Sequence, residues 1–536
     1  MFIVDSFINT FSNKLCREDV STLKLRAKPI CLTAGGKPVV ILTLNDAEEL
    51  GVLSLGRVKL SCGGKTRTCI VNTTKKILKR GEIGLYDEVT DFFGVSAGRE
   101  IDVEATDFPA SMTFIRNRLK GRRLDSDEIR EIVQDVTRGN LSEVEITSFI
   151  IALEHQGLNL DEAAALSTAM VETGETLKID QKLVADKHSI GGVPGDKTTL
   201  LVVPIIASYG IAIPKTSSRA ITSPAGSADR AEILMDVNLE IEEIKRVVKK
   251  TNGCIVWGGA IRLAPADDIF VQVEYPLSID PLLLPSIMSK KKAVGATRLV
   301  VDIPLGRGTK VKTIGDADLL ARDFIELGGR LGIKTQCALT YGEQPIGHAL
   351  GSALEAREAL EVLSRKKGAP DLIDKACDIA GILLGMCGLP EGRKKAAHAI
   401  TSGKAEEKLR EIIREQGGNP KIKPDDLPIG EHSSDITAET GGYVKWISNW
   451  GLVEMARSAG SPKDKGAGVV LHKKLNSQVK RGEPLLTIYA KHASKLQRAE
   501  KIFEEQMVVA VGEKMEMMLK EVKEVPVPEK AFILER

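Results

Sequence analysis

The chain of 536 residues carries 75 basic and 73 acidic residues, a net charge of +2, so no strong field draws it to nucleic acid or a membrane surface. Its 43% hydrophobic and 28% charged content is that of a soluble globular protein with several cores, and 4% aromatic residues argue against a base-stacking platform. The eight cysteines form no C-x-x-C pair, which argues against a zinc site or a disulfide framework and fits a reducing cytoplasm.

Residues 1–16 lack the basic start and long apolar middle of a signal peptide, and the longest apolar run, near Leu200, is broken by Pro204 and Gly210. Cytoplasmic location and no membrane partner are the expectation. Residues 1–108 read as a β-rich, barrel-like module, because KPVVILTL, RVKLSC, RTCIVN and EIGLY are short Val/Ile/Thr-rich runs separated by turns. Residues 109–178 change to a helical pattern. DSDEIREIVQDVTRG opens on acidic caps and closes at Gly139, and two further helices stop at Gly157 and Gly174. Residues 179–430 alternate strand and helix, with KLVADKHS, GIAIPKT, GCIVWGG, RLVVDIP and KTQCALTYG as strands, which predicts parallel β-α units. Residues 263–295 look helical and return to the helical lobe. Residues 431–536 form a C-terminal α+β domain of short strands, with a charged helix from Ala493. The fold class is therefore multidomain α/β, with a mainly parallel sheet in its largest lobe.

Three stretches carry chemistry. DKHSIGGVPGDKTT, Asp186 to Thr199, runs from a strand through Gly191, Gly192 and Gly195 into an apolar helix start. Such a layout aims backbone N–H groups at one spot and favours an anion there. Lys187 or Lys197 adds charge, and Ser189 and Thr199 add hydroxyls. It is not a Walker A loop, since three residues separate Gly191 from Gly195 and Asp196 precedes Lys197. IPKTSSRAITSPAGSAD, Ile213 to Asp229, supplies Thr216, Ser217, Ser218, Thr222, Ser223 and Ser227 with Arg219, on the same sheet edge. LSIDPLLLPSIMSKKKA places Asp280 at the head of an apolar segment, where burial would suit a general acid, and Ser286 and Lys290 at i, i+4 on one helical face. Each stretch alone also fits an ordinary turn, solvated loop or helix cap.

Together, in this order and spacing, they resemble the thymidine phosphorylase family, from about Ser111 to the C-terminus. KHSIGGVPG, IPKTSSRAITS, WGGAIRLAPADD, SIMSKK and QPIGHALGSALEAREAL resemble its archaeal AMP phosphorylase branch in particular. The resemblance implies a nucleoside phosphorylase/phosphoribosyltransferase-like fold and a homodimer or larger homo-oligomer. It also implies phosphorolysis of AMP, and of CMP and UMP, to free base and ribose 1,5-bisphosphate. No cofactor or metal is implied, since orthophosphate is a co-substrate. Phosphate is expected at Lys187, Ser189, Thr199, Ser217 and Ser227. The nucleotide is expected at Gly192, Ser218, Arg219, Ala220, Ile221, Thr222, Ser223, Ser227, Ser286 and Lys290. Asp280 is the expected proton donor, and His188 matches the cleft histidine.

Two departures bear on the branch. No arginine stands near Val273, where thymidine phosphorylases grip a pyrimidine carbonyl, and Asp280 lies about two residues nearer Ser286 than the family spacing. Three rivals stay open. They are a thymidine or uridine phosphorylase, an anthranilate phosphoribosyltransferase-like enzyme with magnesium at Asp267 and Asp268, and a non-enzymatic assembly protein.

Overall fold

The two-residue link Gly63-Gly64 shows how local chemistry sets the N-terminal architecture. Both glycines have positive φ, +59° and +77°, the backbone that a tight hairpin between right-twisted strands requires. Strands Arg57–Cys62 and Lys65–Thr74 therefore pair antiparallel, Cys62 opposite Lys65. In this computed structural model, residues 22–220, 223–365 and 368–513 are described. Cys16, the N-terminal stretch 1–16, Ile221 and Thr222 lie outside them. Two compact units divide the chain. One comprises residues 22–178, 261–296 and 323–333, and the other 179–260, 297–322 and 334–513.

In the first unit, six strands close into a barrel. The other four are Thr22–Pro29, Val39–Thr43, Glu82–Leu85 and Glu100–Ala105. The all-β reading missed two short helices here, Leu44–Glu49 and Asp87–Phe93. Each is only two turns or less, too short to show an amphipathic period. Alternate strand residues fill the barrel with Leu25, Val40, Leu42, Val58, Leu60, Val71, Ile83 and Val103. Arg57 leaves this barrel to donate from Nε to the Asn140 carbonyl (3.0 Å) and to pair, buried, with Glu145 of the helical part.

That helical part consists of Ser111–Leu119, Ser126–Arg138, Glu143–Gln156 and Leu160–Glu172, joined by Pro265–Leu277 and Leu283–Ala293. The acidic start read from sequence is a capping box. Asp125 accepts from the N–H groups of Asp127 and Glu128, and Gly139 ends the helix at φ +74°. The apolar faces meet around Phe149 and Phe270, whose ring centroids are 6.1 Å apart, with Ile132, Leu166 and Ile150.

In the second unit all five strand candidates are strands. Lys334–Tyr341, Arg298–Leu305 and Ala185–Ser189 lie side by side and parallel, and Ile213–Ser217 pairs parallel with Gly253–Trp257. A single parallel bridge, Val184 to Ala212, joins the two groups. Helix Thr199–Ala207 is buried along its whole length, as a helix apolar on every face demands, and forms one core with helices Ser352–Arg365, Pro370–Met386 and Lys404–Glu415. The C-terminal strands His432–Thr437, Gly468–Leu471 and Pro484–Ala490 form an antiparallel sheet with the earlier segment Ala349–Leu350. A second small sheet joins Gly442–Ile447 to Gln478–Val479 and Val509–Gly512. Helix Ala493–Glu505 follows the sequence reading, but ISNW turns into a helix, Asn449–Ser458, with Ser448 accepting from Gly451 N–H as its cap. The fold is thus multidomain α/β with the parallel sheet expected.

Candidate functional site

Strand Ala185–Ser189 ends at the glycine turn, and helix Thr199–Ala207 starts beyond it. Gly192 has φ +93°, and a Cβ there would lie 2.9 Å from Lys310 N and 3.1 Å from Thr309 Cα. Only glycine allows both that backbone and that approach. Sequence reading missed Lys310, which stands 118 positions away but is brought beside Gly192 by this packing. Lys187 is buried, and its ammonium donates to Thr198 Oγ1 at 2.8 Å. Successive strand residues face opposite sides, so half-buried His188 is turned away from Lys187. Ser189 Oγ accepts weakly from Gly191 N–H at 3.4 Å.

Hydroxyls gather beside this turn. Thr199 Oγ1 lies 3.4 Å from Ser227 Oγ, and Ser217 Oγ is buried without a hydrogen-bond partner among the described residues. An orphaned buried hydroxyl is costly and rare, and a bound ligand is one partner that would satisfy it. Arg230, also missed, reaches one of these hydroxyls: Nη1 is 3.4 Å from Ser227 Oγ, Nη2 donates to Ala225 O (2.8 Å), and Nε is held by buried Glu355. Thr199, Ser227 and Arg230 thus meet at a helix start beyond the parallel strand that carries Lys187, an arrangement chemically suited to an anion.

Burial pushes the Lys187 ammonium below the usual lysine range. Asp196 and Asp302 oppose that shift, while Lys375 and Arg230 add to it. For Asp196, burial works against the charge, but Lys375 and Lys187 prevail and hold its carboxyl well below the ordinary range. Lys197, the other lysine of the motif, is a correction to the sequence reading. It is fully buried, and its ammonium is taken by the Ile346 and Ala349 carbonyls (3.0 Å each) and by Glu358 (2.5 Å).

The hydroxyl loop is braced by carboxylates. Asp229 Oδ2 accepts from the N–H groups of Ala220 (2.7 Å) and Gly226 (2.8 Å), and Ser223 Oγ donates to Ala225 O (3.1 Å). Ser218 is exposed. Arg219 was expected on substrate. Its guanidinium instead meets Glu232 at 2.6 Å and Asp229 at 3.3 Å, and lies over the Trp257 ring at 4.9 Å. Arg219 first, and then Lys465 from the C-terminal part, hold Glu232 down to about 2, against burial.

In the first unit, Ser286 and Lys290 stand one turn apart on helix Leu283–Ala293. Lys290 pairs with buried Asp267 at 2.5 Å. Burial opposes its charge, but Asp267, Asp268 and Glu274 raise its pKa. Burial raises the Asp268 carboxyl. Lys290 neutralises the Asp267 side of the acidic pair that the magnesium reading needed, and no metal-holding group of three ligands occurs among the described residues. Asp280 is exposed rather than enclosed by apolar side chains, because helix Pro265–Leu277 ends at Ser278 (φ +55°) and the chain turns outward before the next helix. The apolar setting expected around Asp280 is therefore absent.

Three family descriptions match the chain. They are the a/b domain of a glycosyl transferase family over residues 181–406, that family's helical bundle domain over 112–174, and the pyrimidine nucleoside phosphorylase C-terminal domain over 443–510. A solved anthranilate phosphoribosyltransferase of Thermus thermophilus is 20% identical over 56% of this chain and 98% of its own, with a TM-score of 0.49. The AMP phosphorylase of Thermofilum pendens is 50% identical over 88% of this chain and 92% of its own. That of Thermococcus kodakarensis is 49% identical over 87% and 93%, and AMP phosphorylase 1 of Archaeoglobus fulgidus is 47% identical over 87% and 93%. On this similarity over nearly nine tenths of its length, the chain belongs to the AMP phosphorylase family.

Proposed function

We propose that the protein catalyses phosphorolysis of AMP, and also of CMP and UMP, giving free base and ribose 1,5-bisphosphate. The observation that supports this reading is the meeting of Thr199 Oγ1 and Arg230 Nη1 at Ser227 Oγ, beside the glycine turn that follows buried Lys187. Orthophosphate held there attacks the anomeric carbon. The C–O bond forms as the bond from that carbon to the base nitrogen breaks, and its electron pair leaves with the base. The sugar passes through an oxocarbenium-like state, which a fixed phosphate dianion stabilises. Holding the nucleophile in place removes most of the entropic cost of bringing it to the sugar.

Ser286 and Lys290 take the base, and Asp280 gives it the proton it needs on departure. The loop from Ser218 to Ser223 takes the 5′-phosphate, with Arg219 fixing its shape. No resident cofactor enters this scheme. We also place the protein in the cytoplasm as a homodimer or larger assembly. Among the described residues, no helix is long and apolar enough to cross a membrane.

The test is base release from AMP, CMP, UMP, adenosine and thymidine, with and without phosphate. Phosphate-dependent release from the monophosphates, with a sugar bisphosphate as second product, is the expected result. Release from thymidine but not from AMP would overturn it.

A further inference from the structure

Lys375 belongs to none of the motifs above. It sits on helix Pro370–Met386 with its side chain buried, and its ammonium lies 2.7 Å from Asp302 and 3.6 Å from Asp196. Those two carboxylates come from different elements. Asp302 is on strand Arg298–Leu305, in register with Ser189 of the phosphate strand, and accepts the Thr340 hydroxyl at 2.6 Å. Asp196 is inside the glycine turn and accepts the Thr198 hydroxyl (2.5 Å) and N–H (3.2 Å). The Thr198 oxygen accepts in turn from Lys187 (2.8 Å). A continuous buried chain therefore runs from Lys187 through Thr198 and Asp196 to Lys375, Asp302 and Thr340.

The charges of that chain balance only with Lys375 present. Lys187 and Lys375 face Asp196 and Asp302. The remaining neighbours, Arg230 with Glu355 and Lys215 with Asp186, are paired with one another. Without Lys375, two buried carboxylates would share one ammonium, and Lys187 would be drawn toward them. An incoming phosphate dianion would then meet a net negative wall. We propose that Lys375 is a positioning residue of the phosphate site, neutralising Asp196 and Asp302 so that Lys187 presents its charge to phosphate. This rests on the reading of Lys187 as a phosphate ligand.

The experiment compares Lys375→Met, Lys375→Arg and the double variant Lys375→Met/Asp302→Asn in the full chain. Orthophosphate binding is measured by calorimetry, and KM for each substrate is measured against pH. Lys375→Met should weaken orthophosphate about tenfold or more while KM for AMP changes about twofold at most. It should also move the alkaline limb of kcat/KM for phosphate to higher pH, because a cation that depresses Lys187 has gone. Lys375→Arg should keep most of the phosphate affinity. The double variant restores the charge balance and should recover it in part, even where the single variant folds poorly. Unchanged phosphate affinity in folded Lys375→Met, equal losses for both substrates, or no recovery in the double variant would each overturn the role. A wild-type protein that binds orthophosphate but releases no base from AMP would instead overturn the proposed reaction and leave Lys375 standing.

Discussion

Replacing Lys197 by Met tests whether the glycine turn is held by a buried ammonium. Lys197 joins the turn to a segment about 150 residues on, through the carbonyls of Ile346 and Ala349 and through Glu358. Glu358 also accepts the N–H groups of His348 (2.8 Å) and Ala349 (2.9 Å), and burial opposes its charge while Lys197 and these donors keep its pKa low. Methionine fills much of the volume but leaves a buried carboxylate without its cation, which costs about 3–5 kcal/mol. That is a large share of the roughly 5–15 kcal/mol that holds a typical domain. Urea unfolding of the full chain, followed by fluorescence and by far-UV dichroism, should show the second unit melting at much lower denaturant. The double variant Lys197→Met/Glu358→Leu removes both charges, and well-packed apolar replacements of a buried pair are often neutral or stabilising. It should therefore be clearly more stable than the single variant, with the coupling read from the double-mutant cycle. A loss below about 1 kcal/mol in Lys197→Met, with the Lys197–Glu358 coupling near zero, would refute the argument.

Other consequences follow from the same geometry. Ser217→Ala should raise KM for phosphate about tenfold and leave the melting temperature unchanged or slightly higher, because the hydroxyl has no hydrogen-bond partner among the described residues to lose. A marked fall in melting temperature would reveal a structural partner instead. Gly192→Ala forces a Cβ to 2.9 Å from Lys310 N at φ +93°, with a strain of about 1–3 kcal/mol, and should lower kcat/KM for the nucleotide more than it lowers stability. For Glu232 the sign is that of a depressed carboxyl. Its stabilisation is full above the ordinary value of 4.5 and is lost as pH falls through about 2. Glu232→Gln should accordingly flatten the acid limb of stability between these values in thermal melts across that range, and an unchanged acid limb would count against the Arg219–Glu232–Lys465 chain.

The parts of the fold legible in the sequence were those written by local chemistry. Asp125 and Gly139 bracket a helix because a carboxylate caps N–H groups and glycine tolerates φ +74°. The five parallel strands were readable as short runs between helical periods; Gly253–Trp257 and Arg298–Leu305 carry the Val and Ile of buried parallel strands, whereas Ala185–Ser189 and Lys334–Tyr341 carry neither and were marked by their place in the alternation. The two short helices of the barrel and the helix at Asn449–Ser458 were not readable. Each sits among strand-forming residues; two start on a single cap, Thr43 accepting from Asp46 N–H and Ser448 from Gly451 N–H, and Asp87–Phe93 starts with no side-chain cap at all. The antiparallel partnering of Ala349–Leu350 with Gly468–Leu471 was equally hidden, because two residues carry no period at all.

The site divides the same way, and the division changes which residues matter. Motif reading finds glycines and hydroxyls, because turns and phosphate cradles are built within a few consecutive residues. It cannot rank cations, because a cation acts through whatever anion the fold sets beside it. Lys187 and Lys197 are ten residues apart in one motif, yet one is aimed at Thr198 beside the anion-binding hydroxyls and the other is consumed by Glu358. Arg219 looked like a phosphate grip and is shared by Asp229 and Glu232, whereas Arg230, unremarked in the sequence, reaches Ser227. Lys375 comes from a helix with no motif and completes the balance under the turn. A buried carboxylate must be matched or protonated, so each acidic residue near the turn selects its lysine or arginine, and an anionic substrate is left the donors those pairs do not use, such as Arg230 Nη1 beside Ser227. Assigning a phosphate ligand therefore requires pairing every buried carboxylate first, an operation that depends on tertiary distances and that no spacing in the chain can supply.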